Sequence, residues 1–244
     1  MLIYGINPVL EALRARRVTR LRVSARSDAR MDQILALAGA QRIPIDRVDP
    51  QALDRASKGG AHQGVAGDVA DARDYRVEDL VDDSAGAPLI VVLDGIEDPH
   101  NVGAIVRTCD AAGATGVVRQ ARHAAPLDGV VAKASAGAIA HVRIATVVNI
   151  ARAVEALKAA QVWTIGLAGD AGEAYTDVDW TLPSAIVLGA EGTGLRRLVR
   201  ERCDRLVRLP MAGALDSLNV SVAAGVVLYE AVRQRGIASG GLRK

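Results

Sequence analysis

Three segments of this 244-residue chain set polar side chains and glycines directly after apolar runs. The first reads Leu93-Asp94-Gly95-Ile96-Glu97-Asp98-Pro99-His100-Asn101-Val102-Gly103-Ala104-Ile105-Val106-Arg107. The apolar run before it, Leu89 to Leu93, has the pattern of a strand buried on both faces. A polar loop follows, and a helix is expected to begin near Asn101. Ligands in open α/β sheets bind outside such carboxyl ends of strands. Asn101 suits an N-cap. Arg107, between Val106 and Thr108, is either a surface arginine or an electrophilic group at a strand-end cleft.

The second segment is Ile186-Val187-Leu188-Gly189-Ala190-Glu191-Gly192-Thr193-Gly194-Leu195-Arg196. Its glycines permit close backbone approach to a ligand. No Gly-Lys-Ser/Thr follows, so it is not a phosphate-binding Walker loop, and the glycine order departs from the dinucleotide fingerprint. Glu191 would repel a phosphate and suits a cationic or hydroxyl-bearing ligand better. The third segment, Arg208 to Gly225, contains Leu209-Pro210-Met211 and Ser217-Leu218-Asn219-Val220-Ser221. Asp216 or Ser217 could cap the helix that follows. Met211 could simply fill a core gap. Asn219, at an apolar helix start, needs a polar partner if buried.

Elements that would carry these loops recur from residue 89 onward. Strands fit 89–93, 115–118, 142–147, 162–167, 185–188 and 205–209. Helices fit 102–112, 127–137, 149–160, 194–201 and 217–234. Strands alternating with helices imply an α/β domain with a mostly parallel sheet. Residues 1–68 read as a smaller α/β unit, with a helix start at Asn7-Pro8, a strand at 21–23, a helix at 31–40, a strand near 43–48 and a glycine-rich loop at 58–64. Residues 69–88, with six acids against two arginines, read as a linker.

Composition bounds the rest. Residues AVILMFWYC make up 50% and DEKR 24%, which excludes a disordered or collagen-like chain. Two Trp, four Tyr and no Phe leave too few aromatics for a base-stacking platform. No run of 18 apolar residues points to a membrane span, and the N-terminus lacks a signal-peptide pattern. Cys109 and Cys203 cannot build a disulfide framework and fit a reducing, cytoplasmic setting. Four isolated histidines and two distant cysteines give no metal-ligand spacing. Net charge is only +2, but Arg14, Arg16, Arg17, Arg20, Arg22, Arg26 and Arg30 crowd the first 30 residues. Six more arginines lie at 196–208. Such clusters favour a polyanion, or else are solvated helix faces.

Together, and in this order, the three segments resemble the SpoU/TrmH branch of the SPOUT RNA methyltransferases. The first corresponds to that family's Asn…Gly…Arg motif, the second to its strand-Gly-x-Glu-Gly motif, and the third to its Pro-Met…Ser-Leu-Asn-Val-Ser motif. Tyr4-Gly5-Ile6-Asn7-Pro8-Val9-Leu10-Glu11-Ala12-Leu13 and Gly60-Ala61-His62-Gln63-Gly64-Val65 look like the substrate-binding domain of one subgroup. That subgroup methylates a guanosine 2′-hydroxyl in large-subunit (23S) ribosomal RNA.

The resemblance implies an L30e-like RNA-binding domain over 1–68, a linker over 69–88 and a catalytic SPOUT domain with a trefoil knot over 89–244. It implies S-adenosylmethionine as cofactor, a homodimer with active sites near the subunit interface, and large-subunit RNA or a precursor particle as substrate. Its motif residues fall on Asn101, Arg107, Glu191, Ser217 and Asn219. Cofactor contacts fall on Leu167, Gly189, Gly192, Leu209, Met211 and Leu218. RNA contacts fall on Arg14, Arg16, Arg17, Arg20, Arg22 and His62, and no metal is implied. Arg107 is the family's proposed activator of the hydroxyl. An arginine is a poor base at neutral pH, so stabilisation of the developing alkoxide is the better physical role. Glu191 would hold Arg107 or line the cofactor pocket. Other substrates of the family, a nucleotide-dependent enzyme using Gly189–Gly194, and a non-catalytic RNA scaffold are the competing readings.

Overall fold

The computed structural model describes residues 1–25, 28–70, 75–82, 84 and 86–238. Arg26 and parts of the 69–88 stretch lie outside the described residues. In chain order the elements are β1 (Leu2–Tyr4), α1 (Ile6–Arg14), β2 (Val18–Val23), α2 (Ala29–Ala40), β3 (Ile45–Arg47), α3 (Pro50–Ala56) and β4 (Val65–Val69). There follow α4 (Val77–Asp82), β5 (Leu89–Asp94), α5 (Pro99–Ala111), β6 (Gly116–Gln120), α6 (Gly129–Ala134) and β7 (Ile144–Val147). The last are α7 (Ile150–Ala159), β8 (Trp163–Leu167), β9 (Glu173–Ala174), β10 (Ser184–Gly189), α8 (Arg197–Arg202), β11 (Arg205–Arg208) and α9 (Val220–Ala238).

The chain forms two compact units. One comprises Met1–Arg73, Val102–Arg107 and Ala125–His141; the other comprises Asp74–Asn101, Thr108–Ala124 and Val142–Lys244. The first unit has a four-stranded sheet of order β1-β4-β2-β3, mixed in direction. Its α1 starts on Gly5, whose φ is +95°, and the Ile6 N–H donates to Gln63 Oε1 at 3.1 Å. The glycine-rich loop therefore supplies the acceptor that a capping side chain would otherwise provide. Residues 125–141 join this unit through close contacts. A Cβ on Gly129 would sit 2.4 Å from the Tyr4 ring, and one on Gly103 would sit 2.3 Å from Ala134 Cβ. The glycine of the Asn…Gly…Arg motif thus lets α5 lie against α6. Helix α3 was not evident from the sequence pattern.

The second unit is built on a seven-stranded sheet of order β7-β6-β5-β10-β8-β11-β9, and every adjacent pair is parallel. This is the mostly parallel α/β architecture expected. All six residues of β5 are buried, as its unbroken apolar run requires. The core packs Ile90, Val92, Val118, Ala185 and Val187 of the sheet against Val154 and Leu157 of α7. The acidic stretch before β5 is more than a connector. It carries α4, whose Leu80 is fully buried and would collide with any side chain at Gly116. Charge at the exposed positions of that stretch hides its apolar face from a composition reading. Among the described residues no helix is long and apolar enough to cross a membrane.

Candidate active site

Carboxyl ends of β8, β10 and β11 open into a cavity of about 750 Å³. Leu167, Gly189, Gly192, Leu209, Met211 and Leu218 line it, together with Glu191, Ser217 and Asn219. Gly189 ends β10 where a Cβ would stand 2.1 Å from the Gly194 carbonyl carbon. Backbone meets backbone there, so no other residue fits. Gly192 and Gly194 turn the chain at φ +77° and +66°, values glycine adopts at no steric cost.

Polar side chains from all three motif segments converge at the rim. Asn219 Nδ2 donates to Glu191 Oε1 at 2.7 Å and to Asn101 Oδ1 at 3.0 Å. Asn101 Nδ2 donates to the same Glu191 oxygen at 3.0 Å. The three side chains close a hydrogen-bonded triangle. Asn101 is free to join it because it does not cap its helix. α5 begins two residues earlier, at Pro99, and Asp98 accepts from the His100 N–H at 2.9 Å. Proline is well suited to a first helical turn, and the aspartate before it suits the cap. Neither Asp216 nor Ser217 caps α9. Asn219 does so, with Oδ1 accepting from the Ser221 N–H at 2.9 Å and from Ser221 Oγ at 2.6 Å. One amide therefore starts α9 with its oxygen and fastens Glu191 with its nitrogen. Ser217 is exposed on the cavity wall.

A second fastening went unassigned in the sequence reading. Asp94 closes β5 and is fully buried. It accepts from the Arg196 backbone N–H at 2.8 Å and from Arg196 Nε at 2.6 Å, while Arg196 Nη2 donates to Gln120 Oε1 at 2.6 Å. The carboxylate thereby clamps the end of the 190–196 turn to the ends of β5 and β6. A charged residue closing an otherwise apolar strand was the available signal. The rest of the 196–208 arginine cluster is also engaged. Arg197 pairs with Glu201, Arg200 with Asp170, Arg202 with Glu155 and Arg205 with Glu173, and Arg208 donates to the Ala171 carbonyl. Three of these four acids are distant in sequence, so a charge count along the chain does not reveal the pairs.

Arg107 is exposed on α5 and clusters with the first unit. In that unit Arg14 pairs with Glu11, Arg20 with Asp46 and Arg22 with Asp68. Arg17 donates to the carbonyls of Ile139 and Ala140, and Arg16 is exposed just after α1. His62 Nδ1 accepts from the Gly64 N–H at 3.0 Å, and Nε2 lies 3.0 Å from Asp54 Oδ1. The first bond leaves the proton on Nε2, so His62 organises the glycine-rich loop. Among the described residues no group of three or more His, Cys, Asp or Glu is placed to hold a metal ion. Burial, reinforced by neighbouring aspartates, pushes the Cys109 and Cys203 thiols up to about 12.

Known proteins give this arrangement a context. Residues 88–229 match the SpoU rRNA Methylase family, and residues 2–75 match the RNA 2′-O ribose methyltransferase substrate binding family. The 23S rRNA (guanosine-2′-O-)-methyltransferase RlmB of Pseudomonas putida is 44% identical over 239 residues, covering 96% of each chain. Among solved structures, the SpoU methyltransferase AviRb of Streptomyces viridochromogenes, in complex with the cofactor AdoMet, superposes with a TM-score of 0.83. It is 26% identical and the match covers 96% of this chain and 90% of that one. An AdoMet-bound rRNA methyltransferase from Sinorhizobium meliloti gives a TM-score of 0.80 at 26% identity, covering 95% and 86%. The convergent triangle, the glycine cradle and these similarities lead to one conclusion: the chain belongs to the SpoU rRNA methylase family.

Proposed function

We propose that this protein transfers a methyl group from S-adenosylmethionine to the 2′-hydroxyl of a guanosine in 23S ribosomal RNA. The observation that carries this is the triangle of Asn101, Glu191 and Asn219 beside a glycine-built cavity. It joins residues from three loops in a chain 44% identical to a named guanosine-2′-O-methyltransferase over nearly its whole length.

The residues present fit the cofactor. The cavity volume of about 750 Å³ lies within the range of small-ligand sites. Leu167, Leu188, Val207, Leu209 and Leu218 offer apolar walls for a purine, and the missing Cβ at Gly189 keeps the backbone within reach of ligand atoms. The cofactor, when bound, supplies an electrophilic methyl group. This chain must then place and activate the ribose hydroxyl. Asn219 and Asn101 hold the Glu191 carboxylate and with it the 190–194 turn, so the cavity rim is set before RNA arrives. Arg107 acts by stabilising negative charge on the 2′-oxygen, a role that suits a guanidinium better than that of a base. Arg14, Arg16, Arg17, Arg20 and Arg22 contact phosphates, and His62 shapes the loop among them. Exposed ion pairs such as Arg14–Glu11 and Arg20–Asp46 are weak and exchange readily for phosphate.

The SPOUT domain carries the family's trefoil knot in this reading, and the protein works as a cytoplasmic homodimer. Support for the dimer comes from α9. Val222, Val226 and Tyr229 are exposed at helical spacing, and the exposed Leu215 and Leu218 precede them on the cavity loop. A second copy of the chain covers this stripe and closes the loop over the cofactor. The test is mapping of ribose methylation in large-subunit RNA by mass spectrometry, with and without the protein. One guanosine losing its 2′-O-methyl group in the deletion strain is the expected result. Methylation lost only from transfer RNA would move the protein to another branch of the family.

A further inference from the structure

A second cavity, of about 490 Å³, opens at the carboxyl ends of β5 and β10. It shares Ala190, Glu191, Thr193 and Gly194 with the first, so the turn after β10 stands between the two. Group transfer brings the reacting atoms to about 3–3.5 Å. The second cavity lies against that shared turn and has a volume suited to an acceptor nucleoside.

Its chemistry is selective. Asp94, Glu97, Asp98 and Glu191 line it against one arginine, Arg196, which Asp94 and Gln120 already engage, so the wall favours hydrogen-bond donors over phosphate. Three of these carboxylates are committed. Asp94 holds Arg196, Asp98 caps α5, and Glu191 takes both asparagines. Glu97 keeps its acceptor capacity. Its side chain is 65% exposed, and among the described residues its ion-pair neighbour is His123, at 3.8 Å between Nδ1 and Oε1. That separation is too long for a hydrogen bond, so both side chains can turn to a ligand.

Guanine presents two adjacent donors, N1–H and N2–H, beside the O6 acceptor. A carboxylate receives the two donors together, and an imidazole N–H reaches O6. Adenine and cytosine each set a ring acceptor beside their amino group, which would face the second carboxylate oxygen. Hypoxanthine keeps N1–H and O6 but lacks the amino group. We propose that Glu97, with His123 beside it, reads the Watson–Crick edge of the target guanine in this second cavity. The inference rests on the ribose methylation proposed above. Bases that an enzyme takes out of the stack are commonly read along this edge.

The experiment compares full-length wild type with Glu97→Gln and Glu97→Ala. Each methylates large-subunit RNA transcripts carrying guanosine, inosine or adenosine at the mapped position, and kcat/KM is measured for all three. Wild type should prefer guanosine to inosine by about tenfold or more, the scale of a bidentate base contact. Glu97→Gln should lose about tenfold or more on guanosine and reduce its preference over inosine to within about threefold. Cofactor affinity by calorimetry should stay unchanged. The ratio between substrates does not depend on the folded fraction, so a poorly folding variant still reports. His123→Ala should weaken guanosine and inosine equally, since both carry O6. A wild-type preference retained by both Glu97 variants would overturn the base-reading role alone. Failure of wild type to methylate any guanosine ribose would overturn the proposed function and this inference with it.

Discussion

Asn219 reaches Glu191 Oε1 with its nitrogen at 2.7 Å while its oxygen caps α9 on the Ser221 N–H at 2.9 Å. The two duties can be separated. Asn219→Asp keeps a good cap but sets a carboxylate against the Glu191 carboxylate. Methyl transfer should fall about a hundredfold, the scale of a site displaced by an ångström, while thermal melting moves little. Turnover assays and circular dichroism melts check this. A parallel loss of fold and activity would mean that the Glu191 contact holds the fold itself and not the site alone.

Asp94 and Arg196 allow a stability test. Asp94→Asn keeps the shape but turns an amide toward the Arg196 donors inside a fully buried site. Arg196 is half exposed and retains water, so the cost should be about 2 kcal/mol, below that of a fully buried pair. Urea unfolding measures it. Cofactor affinity should drop as well, because the 190–196 turn loses its clamp. An unchanged affinity would separate the clamp from the cavity.

Val226→Glu places a charge in the exposed stripe of α9. Sedimentation equilibrium should show the dimer shifting to monomer, with weaker cofactor binding by calorimetry. A wild-type protein that sediments as a monomer at working concentration would end the dimer reading.

Asp204 ties β11 to β8. It accepts from Thr164 N at 2.9 Å and Thr164 Oγ1 at 2.7 Å, and pairs with Lys158 at 2.8 Å. Burial raises its pKa, but the bonds from Lys158 and Thr164 outweigh that effect and leave it below the usual carboxylate range. A carboxylate depressed in the native state contributes stability above its unfolded pKa of about 3.9, and loses it as pH falls through the native value. The stability gap between wild type and Asp204→Asn should therefore be constant near neutrality and shrink below about pH 4. Urea midpoints across that range measure the gap. A gap that widens in acid would contradict the assigned direction.

Cys109 and Cys203, both raised to about 12 by burial first and then by nearby aspartates, carry almost no thiolate at neutral pH. A disulfide reagent should leave both unmodified in the native protein and react with both in urea. Rapid native labelling of Cys203 would show that its cover opens.

Local pattern carried much of this protein. The apolar run at 89–93, the β-α alternation after it and the glycines at 189, 192 and 194 are short-range signals. Their positions at strand ends were legible because chain direction alone sends such loops to one edge of a parallel sheet. Partner choice was not legible. Asn101, Glu191 and Asn219 lie 28 to 118 residues apart, and their triangle exists only once β5 and β10 pair in register. The same holds for Arg196, which charge counting offers to a polyanion but Asp94, 102 residues away, ties to the end of β5. Cap identity turned on a three-residue difference, Asp98 instead of Asn101, that frees one amide for the site. Leu80 made α4 part of the core where acidic neighbours suggested a connector. Periodicity records which face of an element is apolar, and that is encoded within a few residues. Which polar atoms meet across the sheet depends on register and crossover, and these are decided by packing the whole domain at once.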